Sequence, residues 1–292
     1  CIRDRSYSAP LTDRWELRFS GYTSDSDVAT VGGTNVLGKG HSYGLAAVYN
    51  FPFNGVWGHS LSAGFDVKEF DESLMFGGAE DDIPLHYVPF TFAYNGYFYT
   101  EKTQGFVNLS LVTASDEFPG GTSNWREFDY KRYLASPDFS VLKADLGIER
   151  QLSEWVLASK ISVQAASGPL VSNEQFAVGG SGTVRGYLAA EQSADDGYLA
   201  SLELRTPNLA SWFGNPWTLF RLHVFGEGAQ LYLRDALPDQ DDAFDLASVG
   251  VGGRAAIGSW LNGGLDLGYP LIDGPNSEKY DPRVHFSISA SF

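Results

Sequence analysis

The sequence predicts an all-β fold, an antiparallel up-and-down β-barrel that crosses a membrane with its strands. Three observations lead there. Apolar and polar residues alternate with period two from end to end, short and long connections follow one another, and aromatic residues gather at the ends of the alternating segments. A soluble β-sandwich shares the alternation. It therefore stands as the alternative, and the other two observations favour the barrel.

The alternation is cleanest over residues 283–292. Val284, Phe286, Ile288, Ala290 and Phe292 share one face, and Arg283, His285, Ser287, Ser289 and Ser291 share the other. A helix would scatter both sets, whereas a strand separates them. The pattern recurs at 59–68, where Leu61, Ala63, Phe65 and Val67 oppose Ser62, Gly64, Asp66 and Lys68. It recurs again at 105–113, at 219–229 (Phe220, Leu222 and Val224 against Arg221, His223 and Glu227) and at 261–271 (Leu265, Leu267 and Tyr269 against Gly264 and Asp266). About twelve segments read this way, near 14–24, 41–52, 59–70, 86–100, 104–115, 139–152, 155–167, 198–208, 218–233, 245–259, 261–271 and 283–292. Asn54-Gly55, Ser153-Glu154 and the step at Trp260 are short connections; 25–40, 71–85, 116–138, 168–197 and 234–244 are long and polar. No helix, linker or domain boundary is expected, so residues 1–292 read as one barrel domain.

The two candidate folds bury opposite faces. A sandwich turns its apolar face inward, while a membrane barrel turns it to lipid and keeps the polar face around a wet lumen. The polar face here carries both signs of charge, as in Asp66 with Lys68 and Arg221 with Glu227. Trp15, Tyr49, Phe51, Phe53, Trp57, Trp155, Trp212, Trp217, Trp260 and Tyr269 lie at segment ends, where interfacial girdles would sit.

Composition narrows the class further. Apolar residues make up 43% and charged residues 19%, which excludes a disordered chain. No run approaches the ~20 apolar residues of a membrane helix. A mean hydropathy of −0.17 separates neither fold. The net charge of −16 removes the electrostatic basis for nucleic-acid binding. Cys1, the single cysteine, excludes internal disulfides; it reads either as a lipid-modified N-terminus or, more simply, as an ordinary residue at an arbitrary chain start. No signal peptide is present, so the chain reads as mature or as cut from something longer.

The sequence carries no recognisable catalytic or metal-binding signature. His41, His59, His86, His223 and His285 lack metal-ligand spacing, Gly180-Ser181-Gly182 matches no phosphate-binding loop, and no Gly-x-Ser-x-Gly elbow occurs. The acidic clusters Glu80-Asp81-Asp82, Asp195-Asp196 and Asp239-Gln240-Asp241-Asp242 read as solvated loop charge, with Ca²⁺ binding as the alternative. Neither catalysis, cofactor nor bound metal is expected.

One long connection is unlike the rest. Residues 169–187 contain Leu170, Phe176, Val178, Val184 and Tyr187, all apolar enough to require burial. Gly179 and Gly180 permit tight turns. Arg185, between apolar residues and Gly186, would need a charged partner if buried. The loop is therefore expected to fold inward and to be pinned.

At this loop the sequence resembles the two-partner secretion transporters (TpsB proteins, the ShlB/FhaC/HecB haemolysin secretion/activation family), within the superfamily of BamA-like outer-membrane barrels. The resemblance is carried by 168–187 and 195–207, with the core Val184-Arg185-Gly186-Tyr187, and extends to 24–52 and 59–73. It implies a Gram-negative outer-membrane location and a pore passing an unfolded exoprotein, its lumen organised by the Val184–Tyr187 loop. It also implies that the loop arginine pairs with an acid on a nearby strand. Here that strand reads Phe225-Gly226-Glu227-Gly228-Ala229, with Glu where Asp is usual and Ala where Gly is usual, and strand parity turns Glu227 toward the lumen. An Arg185–Glu227 ion pair is expected. The terminal Phe292 resembles the signal that outer-membrane assembly machinery reads. Family barrels have about sixteen strands, so about four N-terminal strands and the periplasmic POTRA domains are expected to be missing here, unless the chain closes as a reduced barrel or pairs with a partner chain. An insertase or scaffold barrel and a passive diffusion channel are the alternative functions.

Overall fold

The structure is a computed structural model and describes residues 2–29, 35–76, 79–118 and 122–291. The expectations for Cys1 and Phe292 lie outside the described residues. Sixteen strands follow in order: β1 Ile2–Pro10, β2 Trp15–Ala29, β3 Asn35–Asn50, β4 Trp57–Phe76, β5 Ala79–Tyr87, β6 Phe90–Tyr99, β7 Thr103–Ala114, β8 Phe139–Leu152, β9 Trp155–Ala166, β10 Phe176–Val178, β11 Gln192–Ala194, β12 Asp196–Arg205, β13 Trp217–Tyr232, β14 Ala243–Ile257, β15 Leu261–Pro270 and β16 Arg283–Ala290. Fourteen of them form one sheet in chain order, every neighbour antiparallel; β5 pairs with β4 beside β6, and β10 with β11 makes a separate hairpin. Along the main path each strand pairs with the one that follows it on that path, which is the up-and-down pattern. Among the described residues no pairing joins β1 to β16.

The twelve expected segments are corrected in four places. The strand β1 was not foreseen; its sequence, Ile-Arg-Asp-Arg-Ser-Tyr-Ser-Ala-Pro, is too polar to show a clear apolar face. The segment 86–100 is two strands, broken at Val88-Pro89, because proline has no N–H for the ladder. The expected loops 25–40 and 71–85 are instead the outer ends of two long hairpins, in which Asp25 pairs with Lys39 and Asp71 with Pro84. Their sequence, rich in Asp, Ser and Gly, carries no clear alternation. The loop 116–138 holds a helix, α1 (Trp125–Lys131), closed by a capping box in which the Asn124 side chain and Glu127 exchange hydrogen bonds with the helix start. Seven residues are too short for a helical period to stand out.

The choice between sandwich and barrel is decided by which face is bare. Leu265, Phe286 and Ile288 are 57%, 77% and 74% exposed, and Leu61, Phe92 and Leu142 are exposed on other strands. On the opposite face Asp266, beside Leu265, is buried, as are Ser162 on β9 and Glu227 on β13. A water-soluble sheet would do the reverse, since ~25 cal/mol is lost for every Å² of apolar surface left in water. The apolar belt is therefore the lipid face.

Among the described residues two apolar clusters form, both including side chains of the segment between β9 and β12. One cluster joins Leu85, Tyr87, Phe128, Phe139, Val141 and Leu170. The other joins Val178, Val184, Tyr187, Leu199, Leu231 and Leu246. Both lie toward the long-connection end, which faces outward in outer-membrane barrels, while short turns face the periplasm.

Candidate functional site

Between β9 and β12 the chain does not stay outside the sheet. Residues 167–195 run back between the strands' polar faces, through a short 3-10 turn (Ser172–Glu174) and the β10–β11 hairpin. Gly179 (φ +113°) and Gly180 (φ +88°) make the reversal, and the Thr183 hydroxyl locks it by accepting from Gly179 N–H at 2.8 Å and donating to Gly179 C=O at 2.9 Å. Val184 and Tyr187 are then fully buried on either side of Arg185, which is 6% exposed.

Arg185 is held by three strands. Its Nε and Nη2 donate to Glu227 Oε1 on β13 at 3.0 and 2.6 Å, and its backbone N–H donates to Glu227 Oε2 at 2.7 Å. Its Nη1 donates to Glu203 Oε2 on β12 at 2.9 Å and reaches Asp266 Oδ1 on β15 at 3.4 Å. The guanidinium lies 3.5 Å from the centroid of the Phe225 ring, a close cation–π contact. Burial alone would lower its pKa; the hydrogen bonds and charges of Glu227 and Glu203 more than offset this, and the pKa rises above the ordinary value.

The carboxylates are in turn shared outward. Glu203 Oε1 accepts from Arg205 Nε at 2.7 Å, and Arg205 Nη1 donates to Glu149 Oε1 at 2.6 Å. Asp266 accepts from Arg254 at 3.0 and 2.8 Å and lies 2.6 Å from His223 Nε2. Ser201 donates to Glu227 Oε1 at 3.1 Å. A charge layer built this way places no lone ion in a low-dielectric interior, which is the condition under which buried charge is tolerated.

The turn after Arg185 requires glycine twice. Gly186 has φ +100°, and its backbone rests against Gly268 of β15; a Cβ on Gly268 would come within 2.6 Å of the Arg185 carbonyl carbon. Gly186 N–H donates to His285 Nε2 at 3.0 Å, so that nitrogen is the unprotonated one. The Tyr187 hydroxyl lies 2.8 Å from Ile272 C=O and 2.9 Å from Ala247 C=O.

Three more buried carboxylates pin the rest of the loop. Glu174 takes ion pairs from Lys68 and Lys143, on β4 and β8, and accepts from the Tyr87 hydroxyl at 2.8 Å. Asp195 accepts from Leu170 N–H at 2.9 Å, Gln175 at 3.1 Å and Arg234 N–H at 2.8 Å. Glu191 accepts from Asn276 N–H at 2.6 Å and Ser277 at 2.8 Å. The reading of Asp195-Asp196 as solvated charge or a Ca²⁺ ligand is thereby corrected: Asp195 is fully buried, and Asp196 accepts from Ala166 N–H and Arg234. Among the described residues no His/Cys/Asp/Glu grouping has metal-site geometry.

The structure thus brings Gly179, Gly180, Val184, Arg185, Gly186, Tyr187 and Glu227 together. The sequence reading missed Glu203, Asp266 and Phe225 as partners of Arg185. Parity sets Asp266 on the polar face and Phe225 on the face of His223 and Glu227, and only the register sets Glu203 opposite Phe225. Phe225 was hidden by its type, because a lumen-facing aromatic reads as lipid-facing. Nothing in the sequence signals Glu174 or Glu191, whose partners lie many residues away.

Residues 120–225, which include the loop, match the family described as haemolysin secretion/activation protein ShlB/FhaC/HecB. No curated protein matches the sequence. In fold the chain is similar to CdiB from Acinetobacter baumannii (TM-score 0.71, 19% identity) over 100% of its own length and 50% of that chain. It is similar to CdiB from Escherichia coli (0.71, 17%) over 100% and 53%. It is also similar to BamA from Haemophilus ducreyi lacking POTRA domains 1–3 (0.61, 13%) over 94% and 62%. The chain spans about half the length of the CdiB structures. Sheet topology, the lipid-facing belt and structural likeness agree on the fold, an antiparallel membrane β-barrel sheet like those of CdiB and BamA, and the stretch that matches the haemolysin secretion/activation family is the one that carries the inward loop.

Proposed function

We propose that this barrel, residues 1–292, is the barrel domain of a two-partner secretion transporter in which the Val184-Arg185-Gly186-Tyr187 loop sets the shape of the lumen. The observation that carries the reading is the loop itself, drawn inside the sheet and tied by Arg185 to Glu227, Glu203 and Asp266. A lumen lined with both signs of charge suits an extended polypeptide, which presents both signs and many backbone groups. The cargo is an unfolded exoprotein; the chain's own groups bind and guide, and no bond-making step, cofactor or chemical energy source is involved. Lipid contacts the apolar belt. Outer-membrane assembly machinery would read the strand ending at Phe292, and a partner chain or further strands would cover the sheet edges, since unpaired backbone is costly in lipid.

Secretion tests this. In cells expressing the full-length transporter with its cognate exoprotein, Arg185→Ala is expected to cut exoprotein release while heat-modifiable barrel folding persists. Undiminished release would overturn the role of the loop. The likeness to BamA favours one second reading, an insertase or scaffold barrel, for which depletion would alter other outer-membrane proteins and leave exoprotein release intact.

A further inference from the structure

Beneath the Arg185 layer, toward the short-turn end, the lumenal wall contains a cation that the protein itself leaves uncompensated. Arg221 on β13 stands directly opposite Arg254 on β14 in the strand register. Like charges facing each other across a ladder are destabilising unless something separates or neutralises them. Arg254 is neutralised by Asp266, through two hydrogen bonds. Arg221 is not: among the described residues it makes no ion pair, and its Nε is buried without an acceptor.

The acids nearby are already engaged. Glu149 gives Oε1 to Arg205 and Oε2 to Gln104. Glu203 gives Oε1 to Arg205 and Oε2 to Arg185. Asp266 gives Oδ1 to Arg254 and Oδ2 to Arg254 as well, with His223 against Oδ1. Glu101, in the turn between β6 and β7, lies by the same opening but forms no ion pair with Arg221.

Space is present where an acceptor is wanting. A cavity of about 330 Å³ is lined by Arg205, Leu219, Arg221, His223 and Arg254 together with Glu203. A second, of about 230 Å³, shares Arg221 and continues past Tyr99, Lys102 and Val156 to the turn. Together they exceed the space one small oxyanion fills, and they offer an apolar wall at Leu219 and an aromatic one at Tyr99 beside the cations. That arrangement fits a side-chain carboxylate still attached to an extended backbone.

We propose that Arg221, with Arg254 and Arg205 beside it, is a carboxylate-binding station on the lumenal path, whose ligand is an Asp- or Glu-bearing segment of the polypeptide in transit. The proposal rests on the transport reading above and names the chemistry the path recognises. Arg221 would donate its free guanidinium hydrogens to the carboxylate, relieving its repulsion with Arg254 and holding the segment briefly at the periplasmic mouth.

The test uses the full-length protein in planar bilayers. A glutamate-rich unstructured peptide, matched glutamine-rich and lysine-rich peptides, and sodium phosphate are added separately from the short-turn side. Blocking events by the acidic peptide are expected to last roughly tenfold longer than those of the glutamine peptide, as one charge-assisted interaction allows. Arg221→Gln should remove that difference, and Arg221→Lys should keep part of it. Because Arg221 makes no ion pair among the described residues, R221Q should leave barrel stability unchanged or raised, which a heat-modifiability assay checks. Equal dwell times for the acidic and glutamine peptides, or dwell times unaltered in R221Q, overturn the station while leaving the pore intact. Phosphate that abolishes the acidic block at equal concentration shows a small-anion site and overturns the peptide assignment. No event with any peptide overturns the station and the transport reading together.

Discussion

Removing the loop arginine tests whether the charge layer holds the lumen in one shape. In Arg185→Ala three carboxylates lose a cation, but unequally. Glu203 keeps Arg205, and Asp266 keeps Arg254 and His223. Glu227 keeps only the Ser201 hydroxyl and the residue-185 backbone N–H, neither of them charged. The penalty therefore concentrates on Glu227, and breaking a buried pair from one side costs about 3–5 kcal/mol. Loss of the contact with the Phe225 ring adds about 1 kcal/mol. The loop's displaced state should then rise by at least about a hundredfold relative to the docked one. Single-channel recording should show larger and more frequent openings. The double variant Arg185→Ala/Glu227→Ala should be less perturbed than the sum of the singles, with a coupling of about 1.5 kcal/mol or more in thermal unfolding. Wild-type conductance in Arg185→Ala, or strictly additive singles, would refute the argument that this pair holds the loop.

Three further outcomes follow from other parts of the same framework. Gly268→Ala sets a Cβ within 2.6 Å of Arg185 backbone, with no flexible group to move aside, so the loop should be expelled and protease sensitivity within 176–192 should appear. Glu174→Gln leaves Lys68 and Lys143 facing one neutral amide, and thermal unfolding in detergent should register about 2–3 kcal/mol lost; an unchanged melting curve would show that solvent already screens the lysines. Asn124→Ala removes the capping box of α1 and should cost about 1 kcal/mol locally, read as faster amide exchange over 125–131 with barrel protection unaltered.

Much of the fold is legible because a membrane barrel writes its environment into every second residue. Val284, Phe286 and Ile288 must face lipid and His285 and Ser287 must not, so strand identity and facing survive in the sequence. The signal fails where that constraint lapses. The far ends of β2 to β5 are rich in Asp, Ser and Gly, and those residues read as loop. The edge strand β1 has few apolar residues to display. Pro89 split a strand whose apolar pattern runs on unbroken. At the site, Arg185 and Glu227 were readable because the motif and strand parity point at each other. Phe225 was not, because its ring serves a cation in the lumen instead of lipid.

That Arg185 pairs with an acid on β13 was implied by the family resemblance; the residues themselves dictate the all-β class, the alternation of polar and apolar faces, and an inward loop whose arginine needs a charged partner. Those follow from local rules: a period of two, turn chemistry, and the cost of burying a charge alone. The three-dimensional arrangement alone shows that the apolar faces are bare and the polar ones enclosed, that Arg185 spans Glu227, Glu203 and Asp266, that Glu174, Glu191 and Asp195 are pins, and that among the described residues Arg221 meets no acid. Each depends on register between strands far apart in the chain, and a one-residue slip in any ladder would exchange lumen for lipid without altering a local pattern.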